Sequence, residues 1–179
     1  MGFFAHILGY IYQYSDCDKT QLCGDVNSKL GKLNDYVTEV DSIPPRHILE
    51  EVTNKHGSVF HEFLIDSKTC VVNGRITPEY DNYTFIEPSR GRSVVDYFVT
   101  SHADLQSCES FRVLTARQLI DEHFVTDGIS PKFIPDHSLL LLKVSAGFAK
   151  LNDNMVPDFS TRETCDGSSL DANNIFYKR

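Results

Sequence analysis

Three short acidic motifs in this sequence carry residue types suited to chemistry at phosphorus. The first is Gly24-Asp25-Val26-Asn27, directly after the apolar run Gln21-Leu22-Cys23. Loops leaving a strand are places where a rigid sheet positions reactive groups. An Asp and an Asn two residues apart can face one cavity, the carboxylate taking a proton from water and the amide donating to a phosphoryl oxygen. The same pair also suits an Asx-turn, with both side chains bonded to nearby backbone. The second motif is Ser93-Val94-Val95-Asp96-Tyr97-Phe98-Val99-Thr100-Ser101, a strongly apolar strand with a carboxylate inside it. Burying an unpaired carboxylate is costly, so Asp96 requires a partner unless the strand lies at an edge and turns it to solvent. The third is Pro135-Asp136-His137-Ser138, leading into Leu139-Leu140-Leu141-Leu142. In a cleft, Asp136 offers a hard ligand for a divalent cation, and His137 contacts a phosphate or moves a proton. The plainer alternative is a turn that caps the strand and leaves His137 in water.

The elements that must position these motifs are legible from periodicity. Phe3, Phe4, Ile7, Leu8, Ile11 and Tyr12 follow helical spacing and predict a packed amphipathic helix. That stretch has no preceding Lys or Arg, so it does not read as a signal peptide, and it is far short of a membrane span. Gln21 to Cys23 is a short strand, and Gly31 to Ser42 is loop. Pro44-Pro45 opens a helix carrying Ile48, Leu49 and Val52, which Lys55-His56-Gly57 stops. A second helix covers Ser58 to Ile65. Strands follow at Thr69 to Val72, Tyr83 to Ile86, Val94 to Thr100, Ser110 to Leu114 and Leu139 to Val144, with a short helix around Arg117 to His123. Helices come early and strands late, which favours α+β or a layered α/β arrangement.

A chain of 179 residues, 41% hydrophobic and 23% charged, suits one globular domain. We place that domain at residues 1–145, followed by a polar, loosely ordered tail at 146–179. The net charge of −8 argues against a polybasic arm for non-specific nucleic-acid binding, but not against an enzyme with acidic metal ligands and a local basic rim. Five cysteines without CxxC spacing point to neither a disulfide framework nor a zinc ribbon, so an intracellular setting, cytoplasmic or nuclear, is expected, with no membrane partner. His56, His61 and Glu62 have metal-ligand types, but five-residue spacing separates the histidines on a helix. They read as surface residues.

Taken in order, Cys23-Gly24-Asp25-Val26-Asn27-Ser28-Lys29-Leu30-Gly31, Asn82-Tyr83-Thr84-Phe85, Gly91-Arg92-Ser93-Val94-Val95-Asp96-Tyr97 and Pro135-Asp136-His137-Ser138 resemble the endonuclease/exonuclease/phosphatase superfamily. This is the deoxyribonuclease-I-like fold, and the wording is closest to the apurinic/apyrimidinic-type endonuclease domain of non-LTR retrotransposons. There a Gly-Asp-Phe-Asn-Ser-Arg-Leu-Gly pattern and a Ser-x-x-Asp-Tyr strand recur. Here Val26 replaces the usual Phe and Pro135 the usual Ser. The resemblance runs from about Phe3 to Val144.

The resemblance implies a partial four-layer α/β sandwich and a metal-dependent phosphodiester hydrolase acting on DNA. It assigns Asp25 to the attacking water, Asn27 to a phosphate oxygen, Asp96 to the tautomer of His137, and His137 to the reacting phosphoryl group. Asp136 becomes the Mg²⁺ ligand, Tyr83 and Phe85 an aromatic pair below the site, and Arg90 and Arg92 the phosphate contacts. In this family the first half of the domain supplies an Asn and the principal metal-binding Glu, yet no Glu precedes Asp25 here. The expectation is therefore a C-terminal half, catalytically incomplete, binding Mg²⁺ weakly, and self-associating or requiring a missing N-terminal half-domain. A non-catalytic remnant or interaction module, and a phosphatase of the same superfamily, stand as alternatives.

Overall fold

The computed structural model describes residues 2–14, 20–122 and 135–145. The expected tail at 146–179, part of the loop after the short third helix, Cys17 and Cys165 lie outside them. Helices α1 (Phe3–Gln13), α2 (Lys55–Ser67) and α3 (Ala116–Asp121) accompany strands β1 (Gln21–Asp25), β2 (Thr69–Val71), β3 (Phe85–Glu87), β4 (Gly91–Ser93), β5 (Asp96–Ser101), β6 (Cys108–Leu114) and β7 (Leu139–Val144). This is an α+β fold. Among the described residues no helix is long and apolar enough to cross a membrane.

The organising strand is β5. It lies between β1 and β2 in a three-stranded antiparallel sheet, with Asp25 directly facing Asp96 and Gln21 facing Thr100. Alternation sends its side chains to two cores. On one face Tyr97 and Val99 pack with Phe60, Phe63 and Leu64 of α2, with Leu30 and Val71, and with Phe4, Ile7, Leu8 and Ile11 of α1. On the other face Phe98 packs with Val72, Phe111, Val113, Leu140 and Leu142 of the antiparallel β6–β7 pair. A helical layer, a sheet and a second two-stranded sheet are thus stacked around β5. Both faces of the Val94–Val99 segment are covered, whereas β7 leaves Leu139 and Leu141 exposed.

Residues 44–54 form no helix, contrary to the sequence reading. Their polar side chains are spent on tertiary ties instead. Glu50 accepts the backbone N–H of Val94 at 3.0 Å and pairs with Lys29 at 2.6 Å. The Asn54 side chain accepts the N–H groups of both Gly57 and Lys29, capping α2 while clamping the loop that follows β1. Gly57 does not stop a helix: it lies in the first turn of α2, where any Cβ would collide with the Lys29 carbonyl. Only glycine lets the loop after β1 pack this closely on α2. The strand expected at 83–86 is displaced to β3, which turns back through 88–90 into β4.

A second tie is a fully buried ion pair. Asp35 receives Nη1 of Arg75 at 3.0 Å, a second contact from Nη2, and the N–H of Val71 at 2.7 Å, and both side chains are inaccessible. Removing one partner leaves the other charge buried alone. Replacing Arg75 with Met should therefore cost about 3–5 kcal/mol in urea unfolding, and Gly57→Ala should destabilise as well through its backbone clash. Wild-type stability in both variants would contradict this packing.

Candidate active site

The site lies at one end of the central strand, where three elements meet: Asp25 closes β1, Asp96 opens β5, and His137 precedes β7. One ligand atom from each of these three side chains falls within 4.8 Å of the others. His137 is held by Asp96, whose two carboxylate oxygens lie 2.9 and 3.1 Å from Nδ1. Asp96 is buried on a central strand, so the solvent-facing alternative does not apply. With Nδ1 occupied, Nε2 of the partly exposed imidazole is the nitrogen left for other chemistry.

Electrostatics follow from this geometry. Burial pulls the His137 pKa down, but the hydrogen bond and charge of Asp96, together with the charges of Asp25 and Asp136, outweigh it and hold the imidazole above its ordinary 6.5. The facing carboxylates of Asp25 and Asp96 repel each other, which makes the position favourable for a cation. Two carboxylates and an imidazole suit a hard or borderline divalent ion, with water completing the shell. Burial, then the charge of Asp96, raises the pKa of Cys23, which keeps this thiol protonated and a poor nucleophile.

The remaining residues occupy distinct positions. Asn27 adopts a left-handed backbone at φ 51°, and its N–H donates to the Asp25 carboxylate at 2.8 Å, so the Asx-turn alternative is present alongside the clustered Asp25. Asp136 is exposed and outside the three-residue group; its carbonyl accepts the Ile86 N–H at 2.7 Å, and its charge acts on His137. Phe85 meets the His137 ring edge-on with centroids 5.3 Å apart. Tyr83 lies 4.4 Å beneath the Arg92 guanidinium and donates its hydroxyl to the Leu49 carbonyl. Arg90 is exposed and pairs with Glu87. Of the isolated histidines, His56 is exposed and His61 half-buried, and neither joins a ligand cluster among the described residues.

Sequence reasoning missed Thr84 as a functional position. Its buried hydroxyl accepts the N–H groups of Val95 and Asp96 at 3.0 and 2.9 Å, and its carbonyl accepts the N–H of Ser138 at 2.7 Å. One residue thereby fixes the backbone on both sides of the Asp96–His137 pair. Asn73 adds a third support, donating to the Asp96 carbonyl and accepting the Phe98 N–H, each at 3.1 Å. The available signal was a threonine between two aromatics in Asn82-Tyr83-Thr84-Phe85, which does not reveal that the hydroxyl points inward.

No protein-family model matches the sequence, and no curated protein matches it. Among solved structures the fold is similar to a 3'-5' exonuclease, NExo, from Neisseria meningitidis, with a TM-score of 0.51 at 16% identity over 80% of this chain and 52% of that one. It is similar too to the 3' phosphatase NExo from Neisseria bound to a product DNA hairpin, with a TM-score of 0.50 at 16% identity and the same coverages of 80% and 52%. The chain spans about half the length of these structures, and the likeness is one of fold.

In the metal-free chain the imidazole of His137 should titrate above 6.5 by NMR. The stabilising pair is complete below that value and is lost as pH rises through the raised pKa. Asp96→Asn should bring the midpoint down. Thr84→Val should lower it too, while orphaning two buried N–H groups at about 1–3 kcal/mol each; Thr84→Ser should restore both. An unchanged midpoint in Asp96→Asn would dissolve the proposed coupling.

Proposed function

We propose that this chain supplies the imidazole–carboxylate portion of a phosphoester-hydrolysing centre of the deoxyribonuclease-I-like kind, with DNA as substrate. The observation that carries the reading is the convergence of Asp25, Asp96 and His137 within 4.8 Å, from three separate elements. The fold likeness to proteins described as a DNA-hairpin-bound 3' phosphatase and a 3'-5' exonuclease supports it.

The cofactor we infer is Mg²⁺, with Asp25 and Asp96 as its nearest anionic ligands and Asp136 adding charge beside them. A cation held there supplies Lewis acidity to a phosphoryl oxygen. The chain's own groups do the rest. Asp25 accepts a proton from water, and Asn27 donates to a non-bridging oxygen. Asp96 keeps the Nδ1 proton of His137 oriented inward, so Nε2 presents a proton to the phosphate. Arg92, stacked on Tyr83, and Arg90 offer charge to neighbouring phosphates. Magnesium keeps several waters and needs added anions, so two carboxylate ligands bind it weakly.

The finer reading is a retroelement-type endonuclease whose C-terminal half corresponds to this chain, acting inside the cell. A phosphatase of the same superfamily is the second reading; the net charge of −8 favours it over tight binding to long DNA. We expect little or no Mg²⁺-dependent nicking of supercoiled plasmid by the 179-residue chain alone. Any residual cleavage should vanish in Asp25→Asn and His137→Ala. Robust nicking that survives both substitutions would remove this centre from the reaction.

A further inference from the structure

β1 is an edge strand whose only partner among the described residues is β5. Its outer side has a readable hydrogen-bonding pattern. The Val26 N–H bonds to the Val95 carbonyl, continuing the β1–β5 register. In an antiparallel ladder this alternation aims the backbone groups of Leu22 and Gly24 at β5, and those of Gln21, Cys23 and Asp25 outward. Edge strands are ordinarily protected by Lys, Pro or a bulge. None of these occurs in Gln21–Asp25, and four of its five residues are exposed. Alongside lies an apolar groove of about 150 Å³, lined by Phe3, Phe4 and Ile7 of α1, by β1, and by Phe60 and Phe63 of α2. Phe3 at its rim is 69% exposed.

We propose that this edge pairs with β1 of a second copy of the chain across a two-fold axis centred on Cys23. The outward-facing residues select that occupant. An antiparallel pairing about Cys23 sets each copy's Gln21 against the other's Asp25, and Cys23 against Cys23, so every outward N–H and C=O finds its complement in one register. The side chains agree with the backbone. Gln21 through Gly24 carry no charge, and α1 holds no Lys, Arg, Asp or Glu, so no fixed charge repels along the axis. The strand's only charge, Asp25, meets the amide of Gln21, a donor. The second copy thereby places a hydrogen-bond donor beside a carboxylate of the three-residue centre, and its Phe3 and Leu22 close the apolar groove. The two sheets become one of six strands. The net charge of −8 per copy opposes association, so the dimer strengthens with salt.

The pairing is independent of the phosphoester reading, and its test uses neither metal nor activity. Sedimentation of the full chain at about 100 µM, where a micromolar dimer is fully formed, should give a dimer, more so at high salt. Hydrogen exchange should show the Cys23 and Asp25 amides becoming protected as concentration rises, while those of Leu22 and Gly24 are protected throughout. Cys23→Lys sets two like charges on the axis at an exposed position and should return a monomer whose melting temperature matches that of the wild type at protein concentrations too low for either to pair, where dimerisation adds nothing to stability. A wild-type chain that stays monomeric overturns the proposal and leaves the edge to a different polypeptide. A dimer that survives Cys23→Lys, with the Cys23 and Asp25 amides exchanging freely, overturns it equally.

Discussion

A carboxylate at the start of a buried central strand must be paired, and most of this structure follows from how Asp96 is paired. Left alone it would cost more than a small domain can spare. His137 meets it from a segment 41 residues later in the chain. That segment is docked by main-chain bonds to residues 84 and 86, and Phe85 meets the imidazole edge-on. The Thr84 hydroxyl then holds the Asp96 backbone from beneath. The pair is supported from both flanks, which fixes the tautomer of the imidazole and leaves one nitrogen free.

The loop after β1 is held with similar redundancy. Tyr97, next to Asp96 on β5, lies with its hydroxyl 2.9 Å from the Ser28 carbonyl and 3.4 Å from the Leu30 N–H. Asn54 clamps Lys29 from the side of α2, and Gly57 removes the one side chain that would prevent it. Asp25 is therefore delivered to Asp96 by the sheet register and kept there by a loop tied to both a helix and the central strand. Two facing carboxylates and an imidazole form a centre poised for a cation and short of ligands. Among the described residues, the strand that carries Asp25 also has no partner on its outer edge.

Much of this was legible from residue types alone. Strand β7 and helix α1 follow directly from apolar runs, and the need of Asp96 for a partner follows from its apolar surroundings. Local periodicity misled at 44–54, where Pro44-Pro45 and Ile48, Leu49 and Val52 satisfy a helical pattern. The tertiary roles of Glu50 and Asn54 override it there. Gly57 read as a stop because a glycine's local preference is visible in sequence and its contact with Lys29 is not. The same holds for Thr84. A hydroxyl that accepts two main-chain donors from a strand eleven residues on cannot be told from a surface threonine without the fold.

The central claim is that Asp25, Asp96 and His137 form one cation-attracting centre. The direct measurement is paramagnetic line broadening in NMR spectra of the chain titrated with substoichiometric Mn²⁺. Signals from Asp25, Asp96 and His137 should broaden first and together, and Asp25→Asn should abolish the effect at low metal. Broadening centred elsewhere, or untouched by Asp25→Asn, would contradict the account.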